Sequence, residues 1–155
     1  MSENEKMLEH FRNPRNVGTI ENADGYGRGI NPINGYITDM YLKIEEDKIV
    51  DIKYKTYGCV ATIASTSAIS HIVKGKILSD IINIEKPFEK LAELLINEIG
   101  EIPEKNWHCL PTVIQTLFTA ILDYYEKKDN NEKVNQINKI LDHINFYIEE
   151  RKKQF

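Results

Sequence analysis

The sequence predicts an α+β fold: a three-stranded antiparallel sheet with helices packed on one side, plus an extra C-terminal helix. Two observations carry that expectation. Over residues 36–55 apolar side chains alternate with polar ones, the period of strands with one dry and one wet face. From Ala61 onward they recur every three or four positions, the period of helices covering one sheet face. The switch falls inside Thr56-Tyr57-Gly58-Cys59-Val60-Ala61-Thr62-Ile63-Ala64-Ser65-Thr66-Ser67, which sets a thiol on a tight turn at the mouth of a helix.

Taken in order, residues 3–12 carry Met7, Leu8 and Phe11 at helical spacing, and Asn13-Pro14 stops that helix. Gly25, Gly27 and Gly29 read as a loop, since a phosphate cradle needs a feeding strand and an opening helix. A short strand near 17–21 or 26–30 can complete the sheet. Met40, Leu42 and Ile44 form the dry face of one strand, Glu45-Glu46-Asp47-Lys48 turns the chain, and Val50, Ile52 and Tyr54 form the dry face of the next. A helix over 61–74 turns Ile63, Ile69, Ile72 and Val73 inward and ends on Gly75. Shorter helices follow over 78–84 and 88–99, then a loop over 102–107. Pro111 opens a helix reaching residue 128, whose stripe runs Val113, Ile114, Leu117, Phe118, Ile121, Leu122 and Tyr125. Asp129-Asn130-Asn131 breaks the chain before a last helix with Val134, Ile137, Leu141, Ile144 and Ile148.

Composition narrows the classes. A chain of 155 residues with 41% hydrophobic side chains can bury one core without disulfides. Its net charge of −4 gives no support for nucleic-acid or anionic-membrane binding. No apolar run approaches the roughly 18 residues of a spanning helix. The acidic start, Met1-Ser2-Glu3-Asn4-Glu5, lacks an apolar signal core. Two cysteines are too few for a disulfide framework, so the expectation is a cytoplasmic protein with two free thiols.

Those thiols carry the chemistry. Cys59, His108 and Cys109 hold donor atoms suited to iron or zinc. The plain alternative is two small buried hydrophobes and a satisfied loop histidine. His10, His71 and His143 read as surface or boundary residues. A Cys59–His108 catalytic dyad would need an orienting acid and a substrate pocket, and nothing nominates either, so no enzyme is expected.

Phe11-Arg12-Asn13-Pro14-Arg15-Asn16-Val17-Gly18, Tyr54-Lys55-Thr56-Tyr57-Gly58-Cys59, Ala64-Ser65-Thr66-Ser67, Val73-Lys74-Gly75-Lys76 and His108-Cys109 together resemble the U-type iron–sulfur cluster assembly scaffold family, that of IscU and the NifU N-terminal domain. The resemblance covers about residues 5–128, which divides the chain into a scaffold-like domain over 1–128 and a C-terminal helical extension over 129–155. It implies a non-enzymatic scaffold that binds iron or a labile [2Fe–2S] cluster, with zinc as an occupant in purified protein. It implies a cysteine desulfurase as sulfur donor, and iron donors and cluster-acceptor apoproteins as further partners. By the same resemblance Cys59 matches the middle cluster cysteine and His108-Cys109 the last pair, with Cys109 the candidate persulfide acceptor.

The departures shape the expectation further. Where the family has Pro-x-Cys-Gly-Asp, this chain has Pro32-Ile33-Asn34-Gly35-Tyr36, so Asn34 replaces the first cysteine and Tyr36 the acid. The loop that a heat-shock-type chaperone recognises reads Ile102-Pro103-Glu104-Lys105-Asn106, with one proline kept and the final lysine lost. Chaperone docking is correspondingly a weak expectation. Two further readings stay open: a cluster-free interaction or regulatory module of the same fold, and a persulfide relay through Cys109. The last apolar stripe should bury itself on the domain or on a second copy, which leaves an oligomer through that helix open.

Overall fold

The computed structural model describes residues 3–154. Six helices and three strands follow in the order α1 (Glu3–Arg12), β1 (Gly25–Ile30), β2 (Ile37–Glu45), β3 (Lys48–Thr56), α2 (Val60–Val73), α3 (Leu78–Ile82), α4 (Pro87–Ile99), α5 (Cys109–Lys127) and α6 (Asn131–Lys152). A single 3₁₀ turn, Glu104–Asn106, lies between α4 and α5. The sheet has the order β1-β2-β3, antiparallel throughout. Helices α5 and α2 cover its dry face, with α1, α4 and α6 packed behind them. The expected α+β architecture is the one observed.

Three details depart from the sequence expectation, each for a packing reason. Gly25, Gly27 and Gly29 form no loop; they are the buried face of β1. A Cβ on Gly27 would lie 2.6 Å from the Ala120 backbone nitrogen, and one on Gly25 would lie 2.5 Å from the Ala120 carbonyl oxygen. A Cβ on Gly29 would overlap the Thr116 side chain. The glycines let α5 sit directly on the strand backbone, the close approach that bare glycine permits.

The second departure is in β3. Ile44 pairs with Ile49 while Lys43 pairs with Asp51, so Val50 is an extra residue in a β-bulge. The bulge shifts the phase: Ile49 is fully buried and Val50 only half-buried, with Ile52 and Tyr54 keeping their inward places.

The third concerns α1, where Met7 faces the core and Phe11 does not. His10, expected at the surface, is 3% exposed and wedged between α2 and α4. His71 and His143 are exposed, as expected.

Helix α6 starts on Asn130, whose side-chain oxygen accepts the Lys133 N–H at 3.2 Å. Ile137, Ile140, Ile144 and Ile148 are buried, with Val134 and Leu141 half-buried beside them. Each buried isoleucine contributes roughly 1.5–3 kcal/mol relative to an exposed one. The stripe is therefore covered by α5 and α4 of its own chain and is not left open for a second copy. Among the described residues no helix is long and apolar enough to cross a membrane.

Candidate functional site

Two helix starts meet at one edge of the fold. Cys59 stands immediately ahead of α2 in extended backbone, His108 immediately ahead of α5, and Cys109 is the first residue of α5. The turn into α2 depends on Gly58, at φ +154°, where a Cβ would press to 2.9 Å on Thr62 Cβ. Helix starts carry unpaired N–H groups and partial positive charge, which favour a thiolate at the exposed Cys59.

The two sulfurs lie 3.9 Å apart. The Thr62 hydroxyl donates to Cys109 Sγ at 3.2 Å, and its oxygen is 3.6 Å from Cys59 Sγ, so it spans the pair. Asn106 Nδ2 donates to Cys59 Sγ at 3.7 Å. Cys59 is exposed, on a cleft between α1, the start of α2 and residues 103–106. Cys109 is 2% exposed and His108 5%.

His108 is oriented by Asn31. Asn31 Oδ1 accepts the backbone N–H groups of Ile33 at 2.9 Å and Asn34 at 3.2 Å, so its Nδ2 donates to His108 Nδ1 at 2.8 Å. That bond assigns the ring proton to Nε2 and keeps the imidazole neutral. Burial also holds the His108 pKa below its ordinary value, with the Lys105 carbonyl opposing. His108 Nδ1 lies 3.8 Å from Cys109 Sγ.

The thiols are electrostatically unlike. Burial pushes Cys109 up to about 12, strengthened by the neighbouring Cys59 and opposed by the Thr62 hydroxyl. At Cys59 burial also acts upward, but hydrogen bonds from the Thr62 N–H and hydroxyl, the Ala61 N–H and Cys109 together outweigh it and bring the thiol below its ordinary range.

Residues 2–131 match the NifU-like N terminal domain family. This chain belongs to that family. It is 37% identical over 133 residues to the iron–sulfur cluster assembly scaffold protein IscU 1 of Archaeoglobus fulgidus, covering 86% of this chain and 83% of that one. It is 38% identical over 136 residues to the IscU scaffold of Aquifex aeolicus, covering 86% and 83%. It is 35% identical over 133 residues to the IscU scaffold of Escherichia coli, covering 83% and 98%. The fold is shared with the crystal structure of a putative iron–sulfur cluster assembly scaffold of the SUF system from Fervidobacterium islandicum. There the TM-score is 0.55 at 23% identity, over 73% of this chain and 94% of that one.

Within this family member the donor set can be tested for fit to a metal. Two sulfurs each about 2.3 Å from one tetrahedral ion lie roughly 3.8 Å apart, and the observed separation is 3.9 Å. The thiols thus fit a soft ion with little movement. His108 does not present a free lone pair at Nδ1, which accepts from Asn31. Among the described residues no group of three His, Cys, Asp or Glu side chains is arranged to hold an ion together. The protein offers two preset sulfur ligands and a histidine that would have to exchange its Asn31 bond to become a third.

Asn34 and Tyr36 are not drawn into this set. Asn34 Oδ1 accepts the Tyr36 N–H at 3.0 Å and closes its own turn. The Tyr36 ring is half exposed and lines a groove with Arg28, Lys55 and Tyr57 on the outer side of the sheet. The loop reaches the thiols through Asn31 instead, by way of His108. Sequence reasoning does not single out Asn31, Thr62 or Asn106. The one legible signal is Thr62, three residues after Cys59 and so on the same side of a helix start.

Proposed function

We propose that this chain is a non-enzymatic iron–sulfur cluster assembly scaffold, holding iron or a labile [2Fe–2S] cluster as cargo through Cys59 and Cys109, with His108 the third ligand. The observation that carries the reading is the 3.9 Å separation of the two sulfurs at converging helix starts. Membership of a family whose named relatives are IscU scaffold proteins supports it. A site with two or three protein ligands leaves positions open, which suits cargo that must be taken on and given up. By the same reading sulfur comes from a cysteine desulfurase, acceptor apoproteins take the cluster, and the chain works in a reducing, cytoplasmic compartment. Cys109, the acceptor implied by the resemblance, is buried and Cys59 is exposed, so Cys59 is the thiol that an arriving sulfur donor meets first.

Anaerobic reconstitution with ferrous iron and sulfide tests the reading. After desalting, the natural chain should retain iron with thiolate-to-iron absorption, and Cys59→Ser and Cys109→Ser should each lose most of it. Equal iron content in the natural chain and both variants would overturn the proposal.

A further inference from the structure

The two thiols face different things. Cys59 opens on the cleft beside residues 103–106, whose wall includes Lys105. Cys109 is 2% exposed, and the sulfur it faces is Cys59 Sγ at 3.9 Å. A sulfur donor arriving from solvent therefore meets Cys59 first. A persulfide formed there would carry its outer sulfur toward the open cleft and leave its inner sulfur, Cys59 Sγ, in front of Cys109.

We propose that Cys59 and Cys109 form an acceptor–resolver pair that converts a persulfide on Cys59 into free hydrosulfide. The inference rests on the reading that this site handles sulfur. Cys109 Sγ attacks Cys59 Sγ, a Cys59–Cys109 bond forms, and the Cys59–sulfane bond breaks. The step is Cys59–S–S⁻ + HS–Cys109 → Cys59–S–S–Cys109 + HS⁻. The sulfane sulfur is reduced to sulfide, the two cysteine sulfurs are oxidised to a disulfide, and the Cys109 proton leaves with the sulfide. No reductant beyond the two thiols is required for this single event.

The geometry directs attack to the inner sulfur. Thr62 Oγ1 lies within 3.2 Å of Cys109 Sγ and 3.6 Å of Cys59 Sγ, fixing the two atoms across one hydroxyl. Closing from 3.9 Å to a disulfide bond of about 2.05 Å asks for a shift of roughly 2 Å. Cys59 can supply it, because it precedes α2 and is not held inside the helix.

The test uses the full-length, metal-free chain under anaerobic conditions with glutathione persulfide as donor, followed by a sulfide assay, intact mass and peptide mapping. The natural chain should release about one sulfide per chain above the Cys59→Ser blank. It should lose two hydrogens in mass and yield a peptide linking positions 59 and 109. Cys109→Ser, with Cys109→Ala as a second variant, should stay one sulfur heavier at Cys59 and release sulfide only at the blank level. A natural chain that remains one sulfur heavier without releasing sulfide would overturn the proposal, as would a persulfide found on Cys109. Because the donor is chemical and metal is absent, failure here is separable from failure of metal capture or of desulfurase docking.

Discussion

Helix α2 carries two polar clusters, one at its start and one at its middle, and they differ in where their hydrogen bonds end. At the middle, Ser67 Oγ accepts the Arg15 N–H at 2.9 Å and its hydroxyl donates to His10 Nδ1 at 2.8 Å. The other ring nitrogen, Nε2, donates to Glu98 Oε1 at 3.1 Å. Burial holds His10 below its ordinary pKa, with Glu98 opposing. That chain of bonds runs from the Arg15 backbone through the buried Ser67 and His10 to the half-buried Glu98, pinning α1 to α2 and α4. Where the start of α2 meets the start of α5, a second histidine, His108, accepts from Asn31 at its Nδ1. There the network leads to sulfur, and the outermost sulfur opens to solvent. Similar polar groups make a closed joint in one place and a reactive edge in the other.

The comparison separates stability from reactivity, and mutations should divide the same way. His10→Ala leaves the buried Ser67 hydroxyl without its acceptor and should cost about 2–3 kcal/mol, measured by urea unfolding, with alkylation of Cys59 in the folded chain unchanged. Cys59→Ser should shift stability by less than about 0.5 kcal/mol while abolishing fast alkylation at neutral pH. Loss of Cys59 reactivity in folded His10→Ala would show that the two clusters are coupled along α2.

Thr62→Val keeps the shape and removes the hydroxyl between the sulfurs. It should cost about 1 kcal/mol. The hydroxyl is one of the bonds holding the Cys59 thiol below its ordinary pKa, so its loss raises that pKa and leaves less thiolate at neutral pH. Iodoacetamide should accordingly modify Cys59 severalfold more slowly in the variant. An unchanged rate would assign the effect to the helix start alone.

The smallest effect is expected from Asn34→Cys. It adds a soft donor on the loop that touches His108 through Asn31, at a position whose present side chain only closes its own turn. The variant should lose reconstituted iron to a chelator more slowly than the natural chain. Equal loss rates would mean that position 34 does not face the thiols.

Much of this was legible from residue spacing. Alternation at Met40, Leu42 and Ile44 and the stripe from Val113 to Tyr125 reflect burial on one face, which a single sequence records directly. The thiols at helix entrances follow from where the period changes. What was hidden depends on neighbours distant in sequence. Gly25, Gly27 and Gly29 look like a loop until α5 is laid against them, and the missing side chains are then the reason the helix fits. Val50 alternates correctly, but the bulge that displaces it exists only in its pairing with β2. His10 has polar sequence neighbours, while its partners lie 57 and 88 residues away. Asn31 meets His108 across 77 residues, so only the folded chain brings them together.

The central claim is that Cys59 and Cys109 act together as ligands with His108 beside them. X-ray absorption at the metal edge of the zinc- or iron-loaded natural chain tests this most directly. The account predicts a shell of two sulfurs at about 2.3 Å and one nitrogen at about 2.0–2.1 Å, with the sulfur contribution halved in Cys59→Ser. A shell of oxygen and nitrogen alone, unchanged by Cys59→Ser, would contradict it.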